Sequence, residues 1–119
     1  MGACRLIPKT DDSAFPYDEA MRLLILAQPA MTIKPKDFDE LIEAGRKHGH
    51  WSPELIREHE EMAKRKRCFD FFLDRPPYLR GTLFENNIWF SLYSPEHEKA
   101  CLRMIEALRQ RLDVRIIHH

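Results

Sequence analysis

The chain has 119 residues, of which 44% are hydrophobic and 32% are charged. This composition is typical of a globular domain and excludes the weakly hydrophobic, highly charged profile of a disordered chain. The length supports one hydrophobic core, so we expect a single domain over residues 1–119. The chain has 19 basic residues (Lys plus Arg) and 19 acidic residues (Asp plus Glu), so its formal net charge is zero. This balance excludes a net positive charge that would attract nucleic acid or anionic lipid. Binding of either kind would need a local patch.

The cysteines and the N-terminal segment bear on location. Cys4, Cys68 and Cys101 are far apart and include no Cys-x-x-Cys pair, so neither a disulfide framework nor a thiolate zinc site is indicated. The opening MGACRLIPKTDD lacks the apolar run of a signal peptide, and the hydrophobic block LLILA at 23–27 is too short to span a bilayer. We therefore expect a cytoplasmic protein in a reducing environment, with no membrane association.

The first part of the chain predicts one helix between two short extended segments. ACRLIP is compatible with a short strand that Pro8 closes. A helix is predicted at about 18–28, since it begins with acidic residues and stops before Pro29. Its apolar run at 23–26 covers nearly the whole circumference, which places this helix in the core or at a subunit interface. The connector MTIKPK after it has room for a short extended segment.

Two further helices are predicted at 37–48 and 52–73. The first has Asp37 as N-cap with Glu40 three residues later, and a glycine is placed to end it. The second opens with Ser52 as cap and a proline in the first turn. Phe69, Phe72 and Leu73 continue its apolar stripe, so we expect this helix to run as far as Leu73.

After residue 80 the hydrophobic period changes from that of a helix to that of a strand. Antiparallel strands are predicted at 81–85 and 88–93 around Asn86-Asn87, a pair that tolerates the conformations of a tight turn. Ser94-Pro95-Glu96 repeats the earlier helix start and predicts a helix at 95–111, with a last strand at 113–117. The fold class expected is α+β, with N-terminal helices packed on a small antiparallel sheet.

Metal and enzyme motifs are absent from the sequence. His48, His50 and His59 have no spacing of three or four residues that would place two imidazoles on one helical face. The chain also lacks a glycine-rich phosphate loop, a nucleophile elbow and a dinucleotide signature. We expect no cofactor and no metal, and we favour a protein that is not an enzyme.

One alternative function is nucleic-acid binding. Two helices joined by a short turn around HGHW have the layout of a helix-turn-helix, and WSPELIREHE resembles the start of the recognition helix in small winged-helix regulators. That resemblance implies contact with nucleic acid through the 48–67 segment. The candidate cations form one run, Lys64, Arg65, Lys66 and Arg67. However, the start of this helix is acidic, so its charge gradient is opposite to the one that a DNA groove requires.

The favoured function is that of a protein-interaction or regulatory module that self-associates, as a homodimer. Aromatic residues cluster in 69–93, and a small sheet covered by one helix leaves its other face to be buried elsewhere. Phe69, Phe72, Phe84, Phe90 and Leu92 are assigned to the core. The candidate interface residues are Trp89, Tyr93, Tyr78, Arg75 and Arg80.

Overall fold

The computed structural model describes residues 2–49, 51–92 and 94–119, and these contain four helices and one six-stranded antiparallel sheet. The expected α+β class is confirmed. In chain order the elements are β1 (Ala3–Pro8), α1 (Tyr17–Ala27), β2 (Thr32–Pro35), α2 (Phe38–His48), α3 (Pro53–Arg65), β3 (Phe69–Leu73), β4 (Leu79–Leu83), β5 (Ile88–Ser91), α4 (Pro95–Arg109) and β6 (Val114–His118). The strand order is β2-β3-β4-β5-β1-β6.

One face of the sheet forms the main core. Because side chains alternate along a strand, the register places Cys4, Phe90, Gly81 and Phe71 in one row across four strands. A Cβ at Gly81 would overlap the Phe71 ring and the backbone of β5, so glycine is what allows that ring to lie across the row. Helices α1 and α4 cover this face and contribute five well-buried residues, Ala20, Leu24, Cys101, Ile105 and Leu108.

Helices α2 and α3 form a second, smaller cluster around Phe38, Ile42, Met62 and Cys68. Their predicted caps are confirmed. The Asp37 carboxylate accepts a hydrogen bond from the Glu40 N–H, and the Ser52 hydroxyl accepts one from the Leu55 N–H at 3.1 Å. Gly49 ends α2 at φ 66°, a left-handed conformation that glycine adopts without a Cβ clash.

The helix predicted at 52–73 is wrong beyond Arg65. Lys66 takes a left-handed conformation, with φ 55°, and β3 begins three residues later. In β3, Phe71 and Leu73 point into the core and pair with β4, whereas Phe72 lies on the opposite face. The assignment of Phe72 to the core is therefore also wrong. The apolar residues of this segment suit a helix or a strand. The segment forms a strand because its aromatic side chains are stabilised by pairing with neighbouring strands.

The N-terminal arrangement also differs from the expected one. The chain begins with β1, which lies between β5 and β6 in the sheet and precedes every helix. The prediction placed helices first because ACRLIP is short and its partner strands stand near the other end of the sequence. The extended segment expected in MTIKPK is β2, at the opposite edge of the sheet.

The hairpin and the last helix and strand are present close to their predicted positions. β4 begins two residues earlier than predicted, and the Phe84 N–H donates to the Asn87 carbonyl at 2.8 Å across the turn. Ile88 and Phe90 point into the core as expected, while Trp89 lies on the other face. No helix in the described ranges combines the length and the hydropathy needed to cross a membrane.

Candidate functional site

The second face of the sheet carries polar, charged and aromatic side chains. The register places Lys34, Asp70, Thr82, Trp89 and Arg5 in one row from β2 to β1. Asp70 accepts a hydrogen bond from the Thr82 hydroxyl at 2.8 Å. We call this side the open face, since α1 and α4 lie on the other side of the sheet.

Helix α3 and the β4–β5 turn stand over one end of the open face and enclose a cleft. The cleft has a volume of about 530 Å³, within the range of roughly 300–1,000 Å³ found for small-molecule sites. Its floor includes Arg5, Thr82 and Trp89, and one wall includes His59 and Met62 of α3. We call this site the α3 cleft.

An aromatic cluster forms the wall of the α3 cleft. The His59 ring lies 4.5 Å from the ring centroid of Trp51 and 6.0 Å from those of Phe38 and Phe84. Its Nδ1 lies 2.9 Å from the Leu55 carbonyl oxygen. Because a carbonyl only accepts, Nδ1 carries the proton, and Nε2 has the lone pair in the neutral ring. The imidazole is therefore packed among three aromatic rings and hydrogen-bonded at one nitrogen.

The position of Trp51 depends on a glycine in the neighbouring helix. A Cβ at Gly45 would overlap the indole ring of Trp51, so the bare backbone of α2 is what lets the indole pack flat against it. Gly45 and Ile42 are buried in α2. Trp51 thus packs against both the α2 backbone at Gly45 and the His59 ring.

Arg5 is the cation of the cleft floor. Its Cζ lies 5.1 Å from the centroid of the Trp89 ring, a cation–π contact. Its Nε is buried and has no hydrogen-bond partner within the described residues. The Asn87 Oδ1 is buried and unpartnered within those residues as well. The Asn87 Nδ2 donates to the Asn86 Oδ1 at 2.6 Å. A buried polar atom left unpaired costs about 1–3 kcal/mol. Both atoms are closed to solvent, so neither is itself a contact point for a ligand. Arg5 lines the cleft with the part of its half-buried side chain that stays exposed.

Comparisons with known proteins do not give this chain a family. No protein-family model, no curated protein and no solved structure matched it.

The four predicted interface residues that the structure describes lie in different places. Trp89 and Arg80 lie on the open face, where Arg80 pairs with Asp74 at 3.3 Å. Tyr78 instead packs against His97 of α4, with the ring centroids 5.6 Å apart. Arg75 is exposed in the β3–β4 connection, and Tyr93 lies outside the described residues. An interface formed by these residues stays a prediction.

The basic run at the end of α3 is largely matched by carboxylates. Lys64 pairs with Glu61 at 3.2 Å and Arg65 with Glu85 at 2.7 Å. Arg67 lies 3.6 Å from Asp18 and its Cζ lies 4.3 Å from the Tyr17 ring centroid, while Lys66 forms the left-handed C-cap. The face of α3 that carries His59 and Met62 lines the cleft, so this geometry does not favour insertion of α3 into a DNA groove.

The buried thiols Cys68 and Cys101 are not reactive near neutral pH. Burial raises the pKa of Cys68 to about 12 and that of Cys101 to about 11, so both stay protonated and weakly nucleophilic near neutral pH. In the part of the chain that is described, no three His, Cys, Asp or Glu side chains are grouped to hold a metal ion. His50 lies outside that part.

Several cleft residues were missed by the sequence interpretation. Arg5 alternates with the buried Cys4 and Leu6, and this period of two was a usable signal for an outward-facing side chain. Trp51 and Asn87 gave no such signal, since Trp51 stands in a connection and Asn87 was assigned only to a turn. The three come from separate elements, and only the folded chain brings them together.

Proposed function

We propose that the protein is a non-catalytic binding protein that takes a small planar acid, an aromatic ring bearing a carboxylate or phosphate, into the α3 cleft. The observation that carries the proposal is Arg5: its half-buried side chain lines the cleft floor and holds its guanidinium over the Trp89 ring. A carboxylate or phosphate oxygen is the acceptor that a guanidinium binds best.

The walls favour a flat, apolar body. Trp51, Phe84 and Trp89 line the cleft together with the fixed ring of His59. Aromatic faces and edges bind other rings in stacked or edge-to-face arrangements, which contribute about 0.5–1.5 kcal/mol beyond the area buried. The cleft volume suits a molecule with one or two rings.

The charge balance within the cleft favours an acid over an amine. Glu58 also lines the cleft, but it is exposed, whereas Arg5 is half-buried. Solvent screens an exposed carboxylate strongly, while a half-buried guanidinium acts through a lower dielectric.

Binding is better supported than catalysis. The His59 Nδ1 is engaged by the backbone of its own helix, so no carboxylate orients the imidazole as in a general-base pair. The two most deeply buried nucleophiles, Cys4 and Cys101, are fully buried in the other core. Both thiols lie on the core face of the sheet, on the opposite side from the α3 cleft.

Both tryptophans of the chain line the α3 cleft, so the two indole N–H signals in a proton–nitrogen NMR spectrum report on this site. The probes are phenylacetate, phenethylamine and benzyl alcohol, which share a ring and differ in charge. We expect phenylacetate to shift both indole signals with saturation, and the other two to bind at least about tenfold more weakly, the equivalent of about 1.4 kcal/mol.

The matched variants are Arg5→Met and Arg115→Met. Arg115 is on the same face of the sheet but is exposed and lies 3.9 Å from Asp11. Arg5→Met should abolish the preference for the acid, and Arg115→Met should leave it intact. The proposal fails if none of the probes shifts the indole signals, if phenethylamine binds as tightly as phenylacetate, or if Arg5→Met retains the preference.

A further inference from the structure

The two edges of the sheet differ in how they are protected. The edge strand β2 has four residues, contains Pro35 and carries Lys34, with Lys36 directly after it. Proline and lysine on an edge strand hinder its pairing with another strand. The edge strand β6 has five residues, VRIIH, with neither proline nor lysine. β6 is therefore the edge that remains able to pair.

The register shows which backbone groups of β6 are free. The His119 N–H donates to the Ala3 carbonyl at 2.8 Å, and the Lys9 N–H donates to the Asp113 carbonyl at 3.1 Å. In an antiparallel ladder, alternate residues of a strand bond to the same neighbour. Residues 113, 115, 117 and 119 thus bond toward β1. Ile116 and His118 direct both their N–H and C=O groups away from the sheet, and Val114 directs its C=O away, while the Val114 N–H donates to the Leu112 carbonyl at 2.9 Å.

We propose that β6 pairs in antiparallel orientation with β6 of a second copy of this chain, about a twofold axis at Ile116. Ile116 then faces Ile116 of the second copy, and Val114 faces its His118. This register pairs the outward N–H groups of Ile116 and His118 with the C=O groups of Ile116 and Val114 in the second copy, and it forms roughly four backbone hydrogen bonds. The result is one continuous sheet that runs through both copies.

The side chains of β6 are compatible with this self-pairing. Ile116 and Ile117 are half-buried in the single chain, and the twofold arrangement brings the two Ile116 side chains together on the core side of the sheet. On the open face, Arg115 falls opposite Ile117 of the second copy rather than opposite another arginine, so like charges are not placed directly against each other. Since the contact is one pair of short strands, we expect weak association, on the order of micromolar.

Sedimentation of the full chain across the micromolar range tests the association independently of any ligand in the α3 cleft. We expect a reversible dimer that Ile117→Lys weakens at least tenfold, because a lysine protects the edge. The matched control is Thr32→Lys on the β2 edge, which should not change the dimer. Circular dichroism of each variant confirms that it is folded.

Cross-linking tests the twofold register itself. The native thiols Cys4, Cys68 and Cys101 are buried, so Ile116→Cys supplies the reactive thiol. Paired residues across the proposed axis have Cα atoms about 5.5 Å apart, within disulfide range. With oxidised glutathione as the oxidant, Ile116→Cys should form a reducible covalent dimer and Thr32→Cys should not. A monomer at every concentration, a dimer insensitive to Ile117→Lys, or equal cross-linking of the two cysteine variants would overturn the proposal.

Discussion

Arg5 and Trp89 are direct cross-strand partners on β1 and β5, and the guanidinium Cζ of Arg5 lies 5.1 Å from the centre of the Trp89 ring. The pairing joins two residues that are 84 positions apart in the sequence on the floor of one cleft. The ring holds the cation in position on the cleft floor, while the Arg5 Nε is buried without a hydrogen-bond partner among the described residues. Replacing Arg5 should therefore weaken the binding of an acid in the α3 cleft while changing the stability of the fold only slightly.

Arg5→Met should change the free energy of unfolding by no more than about 1 kcal/mol. The lost cation–π contact contributes about 0.5–1 kcal/mol, and the substitution also removes a buried unpaired N–H, which offsets that loss. Urea unfolding monitored by circular dichroism measures the change. A loss above about 2 kcal/mol would mean that Arg5 stabilises the sheet rather than serving the cleft.

Gly45→Ala should displace Trp51 and weaken ligand binding. Alanine gains about 1 kcal/mol of helix propensity over glycine, but its Cβ would overlap the Trp51 indole, so the ring must leave the wall of the cleft. We expect a shift of the Trp51 indole signal and a net loss of stability. The control is Ala44→Gly at an exposed neighbouring position of α2, which lowers helix stability without touching Trp51. An unmoved Trp51 signal in Gly45→Ala would contradict this account.

The helix starts were predictable from the sequence because they are local. Ser52 and Ser94 each accept a hydrogen bond from an N–H three residues later, and the serine-proline-glutamate pattern indicated both. The Asp37 cap is of the same kind. Such contacts depend on residues that stand within one helical turn in sequence.

The β3 strand and the α3 cleft were not predictable, because their determinants are distant in sequence. Phe69 to Leu73 has enough apolar residues to suit either a helix or a strand, and only the partners on β2 and β4 decide between them. The alternating period then moves Phe72 to the open face, where its ring meets the cations Lys34 and Arg80 at 5.5 and 5.8 Å. The cleft likewise combines β1, α3 and the hairpin.

Tyr17→Phe should leave stability unchanged or raise it by up to about 1 kcal/mol. The Tyr17 hydroxyl is buried and has no hydrogen-bond partner among the residues described, so removing it removes an unsatisfied polar group. The ring contact with the Arg67 guanidinium persists, since phenylalanine keeps a π face. Thermal unfolding measures the effect. A clear loss of stability would show that the hydroxyl has a stabilising partner.

Stability should fall in alkaline solution because the Cys68 thiol is buried. Burial raises its pKa from 9.0 to about 12, and the residue is only 3% exposed. Below about pH 9 the thiol is protonated in both states, so its ionisation does not affect folding. Above that pH the unfolded chain ionises first, and the contribution of the thiol is lost at up to about 1.4 kcal/mol per pH unit until the folded-state pKa is reached.

The variant Cys68→Ala isolates this effect. It should be less stable than the parent at neutral pH, because it leaves a small cavity, yet its stability should decline less steeply between about pH 9 and 12. Tyr17 and Cys101 also have raised pKa values, but they titrate in both proteins and cancel in the difference between the two slopes. Urea unfolding over that pH range measures the slopes. Equal slopes would mean that the folded protein stabilises the Cys68 thiolate as well as water does, which its burial opposes.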